Sequence, residues 1–234
     1  MLTPRITQIL ESARADGWVL EPMAKEILAE RKLSVPKGVL TGSVDTARQF
    51  LAGCKGPVVL KAVSPEILHK TEHRAVVTGV RDPDTLAAQM ARLLSLKGCK
   101  QVLVEEMVSG IEVLVGAKND LQFGPVVVLG LGGTSVEIYN DTAIRLAPVI
   151  PADVTAMVKA LKAGPILEGF RGKPGVNMAE LTRTVVDFSR LIMDLEPWFE
   201  SIDLNPVICD ANRCVAADAR IILLSEIPEN HRPS

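Results

Sequence analysis

Apolar positions change period several times along the chain, and each change predicts an element. Leu20, Met23, Ala24, Ile27, Leu28 and Ala29 recur at helical spacing, with Pro22 suited to a first turn. Gly38 to Leu40 reads as a short strand, and Ser43 as the N-cap of a helix closed by Gly53. Pro57 to Val63 is apolar and β-branched around Lys61, which predicts a buried strand ended by Ser64-Pro65. A further strand follows at Ala75 to Val80. Asp82-Pro83 then opens a helix with Leu86, Met90, Leu93 and Leu94 on one face. Strands are expected at Gln101 to Val104, Ile111 to Ala117 and Pro125 to Leu129, the last running into Gly130-Leu-Gly132-Gly133. Helices Asp153 to Leu161 and Met178 to Leu195 are separated by a glycine- and proline-rich loop. Two strands, Ser201 to Ile208 and Val215 to Leu223, close the chain as a hairpin through Asp210-Ala-Asn212-Arg213.

This alternation of strand pairs and helices predicts an α+β fold of two lobes hinged near Glu105 to Gly110. The expected boundaries are an N-terminal helix over 1–17 packing on the second lobe, a first lobe over 18–106, a second lobe over 107–224 and a polar tail over 225–234. A chain of 234 residues can bury a sizeable core in such a layout.

Composition narrows the function classes. A net charge of −2 supplies no attraction for nucleic acid or an anionic membrane. One Tyr, five Phe and two Trp leave few rings on which single-stranded bases stack. No apolar run approaches the ~20 residues of a membrane-spanning helix, and Met1 to Leu10 lacks the apolar region of a signal peptide. A cytoplasmic protein with no nucleic-acid or membrane partner is therefore expected. The four cysteines form no Cys-x-x-Cys pair, and with three histidines available a structural zinc site is not expected. The hairpin leaves open a Cys209–Cys214 disulfide, beside the plainer reading of reduced thiols.

The final hairpin carries the most informative chemistry. Along Ser201 to Val207, Ile202 and Leu204 point one way while Asp203 and Asn205 point the other. Pairing through the turn can bring Asp218 alongside Asn205, so that a carboxylate and an amide oxygen converge. Mg2+ takes such hard ligands and keeps its remaining positions for water and phosphate; a merely solvated hairpin face is the alternative. Lys61 lies inside an apolar strand, where it either meets an anion, a protein carboxylate or a ligand phosphate, or snorkels out from the strand edge. The loop Ser64 to His73 offers His69 as a nucleophile or proton carrier, and Lys70 and Thr71 as phosphate contacts. Its string His69-Lys-Thr-Glu72-His73 also matches H-x-x-E-H, a zinc pattern that requires a helix. Gly130 to Gly133 follows a strand, as phosphate-cradling loops do, yet is neither G-x-G-x-x-G nor a Walker A loop. Glu105-Glu106 either reads a nucleotide or is simply exposed.

Taken in order, several stretches resemble one family: Pro57 to Thr71, Val104-Glu-Glu-Met107, Gly116 with Asp120 to Pro125, Gly130 to Gly133, Ile144-Arg-Leu-Ala-Pro148, Gly169-Phe-Arg-Gly172, Asp203-Leu-Asn-Pro206 and Ala217-Asp-Ala-Arg-Ile221. The chain resembles the β subunit, an ATP-grasp module, of ADP-forming acyl-CoA (acetate–CoA) ligases, relatives of succinyl-CoA synthetase. The resemblance implies an ATP-grasp fold of two lobes, each with a mainly antiparallel sheet, holding the nucleotide between them. It also implies acid–thiol ligation with ATP/ADP and Mg2+, and a separate CoA-binding α subunit in an α2β2 heterotetramer. Carried over residue by residue, Lys61 would contact the ATP phosphates, Glu105, Glu106 and Met107 would meet adenine, and Glu112 would reach the ribose. Asn205 and Asp218 would bind Mg2+, while Asp203 would steady a phosphohistidine arriving from the partner. His69 would relay phosphate between two sites. Gly132, Gly133 and Arg145 would border the phosphate site, with Lys70 and Thr71 as further contacts.

One stretch departs from the family. A small residue and two glycines usually follow the acidic position after His-Lys-Ser/Thr, whereas this chain has Glu72-His73-Arg74-Ala75. Without glycine the backbone loses freedom to approach phosphate closely. Two other functions remain open on the same fold. A different ATP-grasp ligase, joining a carboxylate to an amine, would need no phosphohistidine; a non-catalytic nucleotide-sensing subunit would bind ATP without forming ADP.

Overall fold

The computed structural model describes residues 1–67, 73–132 and 141–225. His69, Lys70, Thr71 and Gly133 lie outside these residues, as do Glu72 of the zinc-like string and the tail beyond 225. Two compact units emerge, one built from Met1–Val35 with Ser109–Ser234, the other from Pro36–Val108.

The chain starts in the larger unit. Helix α1 (Pro4–Ala13) is capped by Thr3, whose hydroxyl accepts the Ile6 N–H at 3.2 Å. A two-residue strand β1 (Trp18–Val19) and helix α2 (Glu21–Glu30) follow. Ile6, Leu10, Val19, Ile27 and Leu28 all enter this unit's core. The first lobe expected over 18–106 therefore begins only at residue 36. The helical periodicity of α2 identifies its apolar stripe, and the stripe packs against the second lobe's sheet instead of the first's.

The smaller unit runs β2 (Gly38–Thr41), α3 (Val44–Gly53), β3 (Val58–Val63), β4 (Val76–Val80), α4 (Pro83–Leu94) and β5 (Gln101–Glu106). Its sheet has the order β2-β5-β3-β4, antiparallel throughout. Ser43 and Asp82 cap α3 and α4 as expected, accepting from Thr46 N–H and Thr85 N–H. Val58, Leu60, Val102, Val104, Met90 and Leu93 meet between sheet and helices. Each such side chain contributes about 1.5–3 kcal/mol by burial.

The larger unit resumes with β6 (Ile111–Asp120), β7 (Gly124–Leu131), β8 (Thr142–Leu146), α5 (Pro151–Ala160), α6 (Gly164–Glu168), the short ribbon β9 (Gly169–Phe170) and β10 (Lys173–Pro174), and α7 (Met178–Leu195). It closes with β11 (Phe199–Cys209), β12 (Cys214–Ala216) and β13 (Arg220–Leu223). The seven strands are ordered β1-β13-β11-β6-β7-β8, with β12 also on β11. One face is apolar: Val113, Val115, Val127, Ile202, Leu204 and Ile221 pack under the helices. Strand β8 was not expected, because only Ala143 of its five residues is buried and no alternation shows. The single strand expected over Val215 to Leu223 is broken at 217–219 into β12 and β13. Among the described residues, no helix is long and apolar enough to cross a membrane.

Cys209 and Cys214 face each other directly, both buried and both free thiols. The hydrogen bond that the Cys209 S–H donates to Cys214, together with burial, pushes the Cys209 thiol far above the ordinary range. Burial and the Glu106 charge also raise Cys54, which remains partly exposed. Brief iodoacetamide treatment of the native protein at pH 8 should label Cys54 well ahead of Cys209 and Cys214, because only an accessible thiolate reacts. Peptide mass spectrometry checks this, and labelling at equal rates would contradict it.

Candidate functional site

The hairpin turn forms where the sequence predicts it. The Asp210 carboxylate accepts from the N–H groups of Asn212 and Arg213 at 2.7 and 2.9 Å. Beyond the turn, the pairs Val207–Ala216 and Asp203–Arg220 belong to one unshifted register. In that register Asn205 stands opposite Asp218, and the Ala217 N–H donates to the Pro206 carbonyl at 2.9 Å. Both strands leave strict alternation at the same place. Buried Leu204 and Val207 are three residues apart, as are buried Ala216 and Ala219, so the residues between them turn away from the helix-covered face. Asn205 is exposed and Asp218 half-buried, its Oδ1 accepting from the Ala219 N–H at 2.8 Å. The amide and carboxylate oxygens are donors of the type Mg2+ prefers, and two such ligands suit an ion arriving with phosphate oxygens and water.

Asp203 lies one step along the same row. Its Oδ2 accepts from Arg220 Nη2 at 2.8 Å, directly across the strand pair. Gly116 is its opposite neighbour on β6. Arg220 is not among the residues that the resemblance assigns to the site. The hairpin register is the signal that places it opposite Asp203. The Arg220 Nε is buried, and none of the described residues accepts a hydrogen bond from it.

Glu112 and Gly132 also come together. The Gly132 N–H donates to the Glu112 carbonyl at 2.7 Å, and a Cβ on Gly132 would lie 3.0 Å from the Glu112 carbonyl carbon. Any larger residue here would press on the β6 backbone. Glu112 pairs with Ile208 on the face that Asp203 occupies, with its side chain exposed. Arg145 does not join them. It stands opposite Val127, and so shares the helix-covered face with Val127 and Ala117. Its guanidinium is exposed at the sheet edge and donates to the Ile144 carbonyl at 2.8 Å. Ile144, not Arg145, sits in the row of Asp203 and Gly116.

In the smaller unit Lys61 meets a protein carboxylate. Its Nζ is 3.2 Å from Glu105 Oε2, with side chains 8% and 3% exposed. The two are diagonal neighbours across β3 and β5, because Val59 is the residue directly opposite Glu105. Strand β5 continues through Glu106, whose Oε1 accepts the Lys37 N–H at 3.3 Å. Met107 follows, exposed, with its N–H on the Pro57 carbonyl. Arg74 adopts φ +49°, the left-handed conformation that glycine takes easily, although the family's glycine is missing there. Holding a non-glycine residue in this conformation costs about 1–2 kcal/mol.

Residues 11–223 match the ATP-grasp domain family. The chain is similar to the β subunit of ADP-forming acetate–CoA ligase I from Pyrococcus furiosus, at 36% identity over 225 residues, covering 92% of this chain and 97% of that protein. ADP-forming acetate–CoA ligase I of Archaeoglobus fulgidus is 32% identical over 229 residues, which cover 95% of this chain but 33% of that protein. A solved structure of acetyl-coenzyme A synthetase 1 from Ca. Korarchaeum cryptofilum aligns with a TM-score of 0.80 at 30% identity, covering 94% of this chain and 100% of that one. That protein was captured with coenzyme A and Mg-AMPPCP, its phosphohistidine segment pointing towards the nucleotide binding site. By fold, by the order of its motifs and by these matches, the chain belongs to the ATP-grasp family, among the β subunits of ADP-forming acetate–CoA ligases.

Proposed function

We propose that this chain is the nucleotide-handling β subunit of a cytoplasmic ADP-forming acyl-CoA synthetase, an acid–thiol ligase. It takes part in the reversible conversion of acid, CoA and ATP to acyl-CoA, ADP and phosphate. The phosphoryl group travels on a histidine of a separate CoA-binding α subunit, in an α2β2 assembly. The observation that carries this reading is the hairpin register, which counts Asn205 opposite Asp218 between the Val207–Ala216 and Asp203–Arg220 pairs.

In this reading Asn205 and Asp218 would hold Mg2+, which when bound would supply positive charge beside the phosphoryl oxygens. Lys61 moves its ammonium between the Glu105 carboxylate and the ATP phosphates. Glu105, Glu106 and Met107 border adenine, and Glu112 with the Gly132 backbone borders the ribose and phosphates. Asp203 orients the incoming histidine by accepting its ring N–H, with Arg220 holding the carboxylate in place. His69 relays the phosphoryl group, and splitting one transfer into two lowers each barrier.

The purified chain should bind Mg-ADP yet form acyl-CoA only after the α subunit is added, as read by a thiol-consumption assay with acid, CoA and ATP. Turnover by this chain alone would overturn the division of labour. Failure to trap 32P on any histidine of the assembled complex would favour a carboxylate–amine ligase instead, and nucleotide binding without ADP formation would favour a sensing subunit.

A further inference from the structure

Helix α2 buries two charges that the proposed mechanism does not use. Glu21 and Lys25 are 2% and 5% exposed, and Lys25 Nζ lies 2.8 Å from Glu21 Oε1. The same ammonium donates to the Ala217 carbonyl at 2.7 Å, across 192 residues of sequence. Ala217 opens the break between β12 and β13, immediately before Asp218. Its N–H donates to the Pro206 carbonyl, next to Asn205, at 2.9 Å. The preceding residue is held as well, since the Ala216 N–H reaches the Ser34 carbonyl at 2.8 Å.

A strand that stops leaves backbone groups in need of new partners. Here an ammonium takes over at the residue before Asp218. A buried ion pair is a poor device for stability, because replacing both charges by apolar or neutral groups is often neutral or favourable. What such a pair supplies is direction: Glu21 fixes the Lys25 head, and the head fixes one carbonyl. Resting on the function proposed above, we infer that Lys25, anchored by Glu21, is a positioning residue for the Mg2+ site. By gripping the Ala217 carbonyl it holds the broken strand so that Asp218 faces Asn205. The Pro206 carbonyl, gripping Ala217 from the other side, ties the same peptide to the strand that carries Asn205.

The test compares the wild-type full chain with Lys25→Met and with Glu21→Gln/Lys25→Met. The double variant avoids leaving a buried carboxylate without its cation. ADP is titrated calorimetrically over a range of Mg2+ concentrations, and thermal unfolding is followed in parallel. The double variant should melt at or above wild type and bind ADP equally well without Mg2+. Its Mg2+ requirement for tight ADP binding should rise by about tenfold or more, the usual scale for losing a group that orients a metal ligand. An unchanged Mg2+ requirement in the folded double variant would overturn the inference and leave the proposed function standing. Loss of cooperative unfolding in both variants would also overturn it, making the pair a folding device. If the wild-type chain shows no Mg2+-dependent ADP binding, the proposed function falls and this inference with it.

Discussion

Asp218→Ala should slow Mg2+-dependent phosphoryl transfer by about a hundredfold or more, the scale set by losing one electrostatic stabiliser of a transition state. The carboxylate is half-buried and outside the apolar core, so the variant should still fold. Ala217 is held by Lys25 and by the Pro206 carbonyl, while the Ala219 N–H gives up its Asp218 Oδ1 acceptor. The larger loss falls on the ion, which gives up its charged ligand. Asn205 would be left as the one proposed protein ligand, and an amide oxygen carries no charge with which to retain Mg2+. The discriminating measurement is the rate of the assembled enzyme at limiting and at saturating Mg2+. A deficit that narrows as Mg2+ is raised identifies weakened metal binding; unchanged rates at limiting Mg2+ would remove Asp218 from the site.

Lys61→Met should be the most destabilising single change in the smaller unit. It leaves Glu105, 2% exposed, without the ammonium 3.2 Å away, and breaking a buried pair from one side costs about 3–5 kcal/mol. Lys61→Met/Glu105→Gln should recover most of that loss, because a neutral amide is far cheaper to bury than a carboxylate. Nucleotide affinity should remain low in both variants, since neither presents a cation to phosphate. Both tryptophans, Trp18 and Trp198, belong to the larger unit. Hydrogen exchange in β3, not tryptophan fluorescence, is therefore the proper stability readout, alongside ADP titration. A double variant that binds ADP as wild type does would remove Lys61 from the nucleotide site.

The two experiments address different units and separate two kinds of burial. Asp218 is held by the backbone around it and exposed enough to exchange ligands. Lys61 and Glu105 satisfy each other inside a sheet, where an approaching phosphate must compete with a carboxylate already in place. That competition explains how a buried lysine is tolerated before any anion arrives.

Much of this site is legible in the residue order because it depends on local rules. Capping by Ser43 and Asp82, the strand around Lys61, helix Met178 to Leu195 and the Asp210 turn all follow from periodicity and short-range hydrogen bonding. A hairpin has one short connection, so its register, and with it the facing of Asn205 and Asp218, can be counted from the turn. Arg220 opposite Asp203 follows from the same count. Periodicity fails where a side chain's partner is distant. The stripe on α2 says that one face is buried, not which sheet buries it, and it sends residues 18–35 to the larger unit. Arg145 lies on an edge strand with no alternation to mark its faces, so only pairing with Val127 reveals where it points.

The sequence by itself determined the local elements, the two-lobed α+β design and the hairpin that aligns an amide with a carboxylate, because each rests on contacts within a few residues or across one turn. Tertiary structure alone decided that residues 1–35 complete the larger unit, that Lys61 answers Glu105 and that Lys25 grips Ala217. These depend on which surfaces meet after the chain has folded back over tens to nearly two hundred residues, and apolar spacing carries no record of that choice.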